Sequence, residues 1–332
     1  MTGFGTIAVA GAGAWGTALA QSLALSGHDV LLWALEGEVA EAVNAGRSNP
    51  VFLPDVPLSD RISATTEIGG LAASRVILMV APAQHLRSVA AQLRGRIAAG
   101  TTVVVCAKGL EQSTGRLMGE VLAEALPEAT LAVLSGPTFA AEVARGLPAA
   151  ATLAMPDAEA GRQLAGAIGG RLFRIYWSDD VIGVQLGGAV KNVLAIAAGV
   201  VDGRGLGASA HAALVTRGFA ELQRFGEALG AQAPTLMGLS GLGDLLLTCG
   251  SPQSRNMSLG RAIGQGQSLQ AVLAGRRSVA EGVYTASAVV RRARAIGIEM
   301  PIAEAVDAIV QGSITVDAAI EGLLSRPQRP EQ

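Results

Sequence analysis

The sequence predicts an α/β protein: a mostly parallel sheet with helices on both faces, followed by an all-helical second domain. Three observations predict it. Short apolar runs alternate with helical patterns over the first half, which is the rhythm of βαβ units. The first of those runs ends on Gly11-Ala12-Gly13-Ala14-Trp15-Gly16 and opens a helix. Beyond about Asp180 the strand signals fade and long Ala/Leu/Val/Gly patterns take over.

Residues 6–10 read as a buried strand and residues 17–26 as the helix it feeds. Gly27-His28-Asp29 breaks the pattern before a second strand, Val30–Trp33. Further strands are expected at 76–80, 102–106, 131–134, Ala149–Ala154 and 173–176, with helices at 85–93, 117–126 and 157–168 between them. In the second half, 208–229, 268–273, 284–296 and 302–309 read as helices, punctuated by Pro301 and Gly312. The boundary is expected near Gly183–Gly187, dividing a dinucleotide-binding domain, 1–186, from a helical substrate-binding domain, 187–332. The polar tail from Arg326 is expected to fray.

Composition narrows the function. A chain of 332 residues is long enough for two cores, and with half its residues hydrophobic and 16% charged it is not a disordered chain. A net charge of −2 without a basic block argues against nucleic acid, and 3% aromatics argue against base-stacking platforms. Cys106 and Cys249 lack CxxC spacing and read as buried, reduced thiols, with no metal site. The N-terminus shows no signal-peptide pattern, so a cytoplasmic protein is expected.

The glycine motif lies in a unit of the right length, after a strand and before a helix, and marks the first domain as Rossmann-like. Gly11 permits the tight turn, Gly13 lets a pyrophosphate approach backbone amides, and Gly16 lets helix pack on strand. The helix N-terminus, at Ala14 and Trp15, supplies N–H groups to the phosphates. NAD-type sites have an acidic residue at the end of the second strand; here Trp33-Ala34-Leu35 stands there, with Glu36 slightly late. No arginine at Ala34 offers to clamp a 2′-phosphate. The cofactor is therefore NAD or NADP, with the preference open.

The second half opens on Gly187-Gly188-Ala189-Val190-Lys191-Asn192, inside an apolar run whose only polar side chains from Val181 to Val201 are Gln185, Lys191 and Asn192. An unpaired ammonium there is costly, and burial lowers its pKa, which suits proton transfer or anion binding. The competing readings are a membrane span, weakened by the polar residues and glycines, and a lysine snorkelling from a core helix. Lys108 follows a strand at the carboxyl edge of the sheet, where ligands bind in open α/β sheets. Ser135-Gly136-Pro137-Thr138 follows the next strand at the same edge. Gly238–Leu245 reads as a tight glycine-rich turn delivering Asp244 to a helix start, where an N-cap is the better reading on residues alone. Ser254-Arg255-Asn256 is a donor set suited to a phosphate dianion, or a helix cap with a surface arginine. His28, His85 and His211 are scattered and take no catalytic role.

Taken together, Gly11–Ala20, Lys108-Gly109-Leu110-Glu111, Ser135–Ala140, Gly188–Val193, Gly241–Leu245, Ser254-Arg255-Asn256 and Glu281-Gly282-Val283 closely resemble the bacterial-type NAD(P)-dependent glycerol-3-phosphate dehydrogenases. The resemblance runs in order from about Ile7 to Val310. It implies reversible hydride transfer between NAD(P)H and dihydroxyacetone phosphate, giving sn-glycerol 3-phosphate for phospholipid synthesis. It implies that Lys191 donates the proton to the carbonyl oxygen, that Lys108 holds substrate and tunes Lys191, and that Asp244 orients Lys191 or a substrate hydroxyl. Gly136, Thr138 and Ala140 line the cleft, and Thr248 aims a hydroxyl at it. Ser254, Arg255 and Asn256 bind the substrate phosphate. Trp33, Lys108, Ala140, Arg255, Val279 and Glu281 join the glycine loop at the cofactor. A homodimer, with no integral membrane segment, is the assembly expected. Another β-hydroxyacid-type dehydrogenase and a non-catalytic dinucleotide sensor are the rival readings; the sensor has no need for Lys191, Lys108 and Asp244 together.

Overall fold

The computed structural model describes residues 4–274 and 280–327. Strands β1 (Ile7–Ala10), β2 (Val30–Trp33), β3 (Ile62–Thr65), β4 (Val76–Met79), β5 (Thr102–Val105), β6 (Thr130–Ser135), β7 (Ala149–Ala154) and β8 (Phe173–Ser178) form one sheet, ordered β3-β2-β1-β4-β5-β6-β7-β8. The six strands β1 to β6 are parallel, and their register sets Ala10 beside both Trp33 and Met79. Strand β7 reverses against β6, and β8 runs parallel to β7. The reversal is tight: a Cβ on Gly136 would lie 2.7 Å from Cα of Ala151. Strand β3 escapes the sequence reading because Ile62-Ser63-Ala64-Thr65 is an edge strand with only Ile62 buried.

Helices α1 (Ala14–Leu25), α2 (Gly37–Gly46), α3 (Leu86–Ala91), α4 (Met118–Ala125), α5 (Ala140–Ala144) and α6 (Ala158–Ile168) cover the sheet. Asp157 caps α6 by accepting from the Glu159 and Ala160 amides. Apolar cores form on both faces: Ile7, Val9, Leu32 and Leu78 on the α1 side, Ala8, Ile77, Met79 and Val105 on the other. Strands buried on both faces read as continuous apolar runs, which is why these were legible.

The second half is helical: α7 (Val181–Gly203), α8 (Ala208–Ala228), α9 (Ala233–Leu236), α10 (Asp244–Gly250), α11 (Arg255–Gly264), α12 (Leu269–Ala274), α13 (Glu281–Ala295), α14 (Pro301–Val310) and α15 (Val316–Leu324). Helix α7 is its axis. Asp180 caps it, accepting from the Gly183 amide at 2.7 Å, and every residue from Gly183 to Val201 is buried. The helix is long and apolar enough to cross a membrane, but 89% of its most apolar window is buried in this fold. It is a core helix. The 186/187 divide read from the sequence falls inside it. Against α7 lies α11 at backbone contact: a Cβ on Gly199 would stand 2.0 Å from the Met257 carbonyl oxygen, and one on Gly260 2.0 Å from that of Ile196.

Candidate active site

Lys191, midway along α7, keeps its ammonium buried by finding partners. Its Nζ donates to Asp244 Oδ1 at 2.5 Å and to Thr248 Oγ1 at 2.9 Å. The other oxygen of Asp244 accepts from Lys108 Nζ at 2.7 Å, and Lys108 also donates to the Gly136 carbonyl at 2.8 Å. One fully buried carboxylate thus bridges two lysines. Burial pushes the Lys191 pKa down to about 8; Asp244 opposes the fall and Lys108 adds to it. Such a group exchanges protons near neutral pH, and the triad carries one net positive charge toward the cleft.

Asp244 is not the helix cap that its position after a glycine run suggests. Leu239–Gly243 form a π-helical turn that runs straight into α10, with Gly243 already helical. The chain needs no cap there, and the extra residue of the π-turn sits at the site, where such insertions recur. Thr248, one turn on, shares the same face.

The glycine loop fits a dinucleotide. Gly11 has φ +124°, and a Cβ on Gly16 would lie under 2 Å from the Gly11 carbonyl oxygen, so both must be glycine. Around Gly13 a Cβ would meet nothing within 4 Å. That open face stands at the N-terminus of α1, which no side chain caps, so its amides remain for an anion. A second cue lies across the cleft. Glu281 Oε1 accepts from the Ala83 amide at 3.2 Å, while Glu281 Oε2 and Thr285 Oγ1 are buried beside Gly109 without partners among the described residues. Burial raises the Glu281 pKa, with the Ala83 bond and the Arg255 charge holding it down. Orphaned acceptors of that kind suit ribose or amide donors. Trp33 is buried and donates its indole N–H to the Thr66 carbonyl, which leaves it no polar contact for the cofactor. Trp15 stands edge-on to Phe173, ring centroids 6.3 Å apart. Ala140 opens α5, and Val279 lies outside the described residues.

The Ser254-Arg255-Asn256 triplet opens α11. Ser254 Oγ caps it by accepting from the Met257 amide, so the cap reading holds for the serine. Asn256 is buried and committed: its amide nitrogen donates to Asn192 Oδ1 at 2.9 Å, and its oxygen accepts from the Gly282 amide at 3.0 Å. Asn192 in turn donates to the Lys108 carbonyl at 3.1 Å. Arg255 is the exposed member, beside the α11 N-terminus. The reading from sequence did not assign Asn192 a role; its adjacency to Lys191 was the available signal. Thr138 donates to the Gly136 carbonyl at 3.3 Å, at the mouth of the same cleft.

A Rossmann-type half with an open pyrophosphate cradle and Lys108 at its sheet edge, facing Lys191 and the buried Asp244 of a helical half, defines a nicotinamide-dependent dehydrogenase. Family models agree in order and extent: residues 6–161 match the N-terminus of NAD-dependent glycerol-3-phosphate dehydrogenase, and residues 180–321 match its C-terminus. The chain belongs to the NAD-dependent glycerol-3-phosphate dehydrogenase family. It is 60% identical to glycerol-3-phosphate dehydrogenase [NAD(P)+] of Parvibaculum lavamentivorans, covering 98% of each chain. It is 56% identical to that of Maricaulis maris, again over 98% of each. A crystal structure of glycerol-3-phosphate dehydrogenase from Coxiella burnetii superposes with a TM-score of 0.93 at 39% identity, over 97% of this chain and 99% of that one.

Proposed function

We propose that the protein reduces dihydroxyacetone phosphate to sn-glycerol 3-phosphate and catalyses the reverse oxidation, with Lys191 as the acid in one direction and the base in the other. The bridging of Lys191 and Lys108 by Asp244 carries this reading. The nicotinamide supplies or accepts the hydride when bound. As negative charge grows on the carbonyl oxygen, Lys191 Nζ stabilises it and then gives up its proton. Asp244 and Thr248 fix the direction of that ammonium, and Lys108 adds a second positive charge while leaning on Gly136. Arg255 and the amides at the start of α11 hold the substrate phosphate, with Ser254 and Asn256 shaping that turn rather than spending their side chains on it. Oxidation of NADH or NADPH by purified protein with dihydroxyacetone phosphate, set against a keto acid, tests the reading. Turnover of the keto acid alone would overturn it and favour the β-hydroxyacid rival.

The adenosine end supports a preference for NADH. Glu36 precedes α2 without capping it, and Ala34, at the tip of β2, is buried. A 2′-phosphate there would meet Glu36 and Glu38 instead of an arginine. Side-by-side measurement is expected to give a kcat/KM for NADH about tenfold above that for NADPH, on the order of one charge–charge contact. A homodimer is part of the same proposal, supported by the exposed Leu206, Ile314 and Leu324 of the helical half; sedimentation at a monomer mass would refute it. The buried free thiols Cys106 and Cys249 support a cytoplasmic setting, and the cap at Asp180 supports placing the start of the substrate-binding domain at α7.

A further inference from the structure

Asn49 lies outside every motif used above, yet it is fully buried and touches the glycine loop. Its Nδ2 spends both hydrogens there: one on the Ala12 carbonyl at 2.8 Å, the other on Thr17 Oγ1 at 2.8 Å. Its Oδ1 accepts from the Phe52 amide at 3.1 Å, which fixes which end of the amide faces the loop. Thr17 Oγ1 donates to the same Ala12 carbonyl at 3.1 Å. Two donors from two different segments therefore converge on one carbonyl.

In a trans peptide the C=O and the following N–H point in opposite directions. Holding the Ala12 carbonyl inward thus turns the Gly13 N–H outward, to the side where Gly13 has open space. Gly13's own backbone does not enforce that orientation, since it lies in the extended region open to any residue, and α1 carries no side-chain cap. We propose that Asn49, with Thr17, is a positioning residue for the cofactor: it locks the Ala12–Gly13 peptide so that the Gly13 amide is ready for the pyrophosphate. The excursion after α2, where Arg47 adopts φ +47° and the Leu53 amide bonds back to the Asn49 carbonyl, delivers Asn49 to the loop. Removing a lock of this kind weakens cofactor binding by freeing the peptide to rotate, and leaves the proton-transfer triad untouched.

The inference rests on the glycine loop being the pyrophosphate cradle, and its test separates the two. NADH affinity is titrated by fluorescence, and kcat and KM are measured for both substrates. Asn49→Ala is expected to raise Kd and KM for NADH about tenfold, the worth of one buried hydrogen bond, with kcat at saturating NADH and KM for dihydroxyacetone phosphate within about twofold of the parent. Thr17→Val is expected to weaken NADH about threefold and Thr17→Ser to restore it; this pair carries the test if Asn49→Ala fails to fold. A Kd within about twofold of the parent in Thr17→Val, or in folded Asn49→Ala, overturns the inference, as does a fall in kcat at unchanged Kd. Gly13→Val fills the open face: unimpaired NADH binding there would refute the cradle itself, whereas its loss alongside normal binding by Asn49→Ala would refute only the lock.

Discussion

At Lys191, two opposing forces meet: burial expels its proton and Asp244 retains it, leaving a pKa near 8. The sign of the pH dependence follows. With Lys191 as the proposed acid, reduction needs the ammonium, so its kcat/KM is expected to fall as pH rises through about 8, while oxidation rises over the same window. A flat profile for both directions from pH 7 to 9 would remove Lys191 from proton transfer. Lys191→Ala is expected to lower kcat by about 10² or more with NADH binding retained. Asp244→Asn removes the charge that holds the Lys191 proton, so the reduction profile should shift to lower pH as the rate drops; a rate loss with an unshifted profile would confine Asp244 to geometry. The sequence showed the lysines and the aspartate, but not their pairing. Lys191 and Asp244 are 53 residues apart, and Lys108 and Asp244 are 136 apart. The packing of α10 on α7 brings Asp244 to Lys191, and the docking of α7 against the sheet edge at Gly188 brings Lys108 to the same carboxylate.

Two elements are held in ways that the hydrophobic pattern does not announce. Helix α14 begins without a local cap. Glu221 of α8, 3% exposed, accepts from the Ile302 and Ala303 amides in its place. Burial raises the Glu221 pKa to about 7 from the ordinary 4.5. A carboxyl raised on folding binds more protons in the folded state, so its contribution to stability is full below about 4.5 and is lost as pH rises through 7. Denaturant melts should therefore show stability declining over that window in the parent and a flatter curve in Glu221→Gln; parallel curves would exclude Glu221 as the cause. The α7–α11 contact depends on small residues, not on apolar bulk. Gly199→Leu should cost about 3 kcal/mol or more, because its side chain meets the Met257 backbone, which has no room to yield. Thermal unfolding unchanged by that substitution would contradict the backbone contact. The helical pattern located α8 and α13 to within a few residues, since their apolar faces repeat at helical spacing. It passed over α15, which is short and buries only Ala319 while Val316 and Leu323 pack partly against the core, so its apolar face repeats too few times to stand out.

Over the whole molecule, the two halves are stitched together beside the site. Arg292 of α13 grips both oxygens of Glu120, on α4, and the Gly115 carbonyl, on the connection into α4 that also carries Lys108. Arg292→Ala is expected to lower unfolding free energy by about 1 kcal/mol at low salt, and by less at high salt, since the pair is partly exposed. An equal effect at both salt concentrations would argue for lost packing instead. The sequence by itself determined the alternation of strands and helices in the first half, the helical second half and the glycine loop, because periodicity and glycine spacing are local properties of the chain. Tertiary structure alone decided that β7 reverses, that Leu239–Gly243 form a π-turn instead of a capped start, that Asn256 serves Asn192 and Gly282, and that Asn49 reaches the Ala12 carbonyl. These are choices of partner between segments far apart in the chain. Each polar group had several satisfactory partners in principle, and only the packed fold selects one.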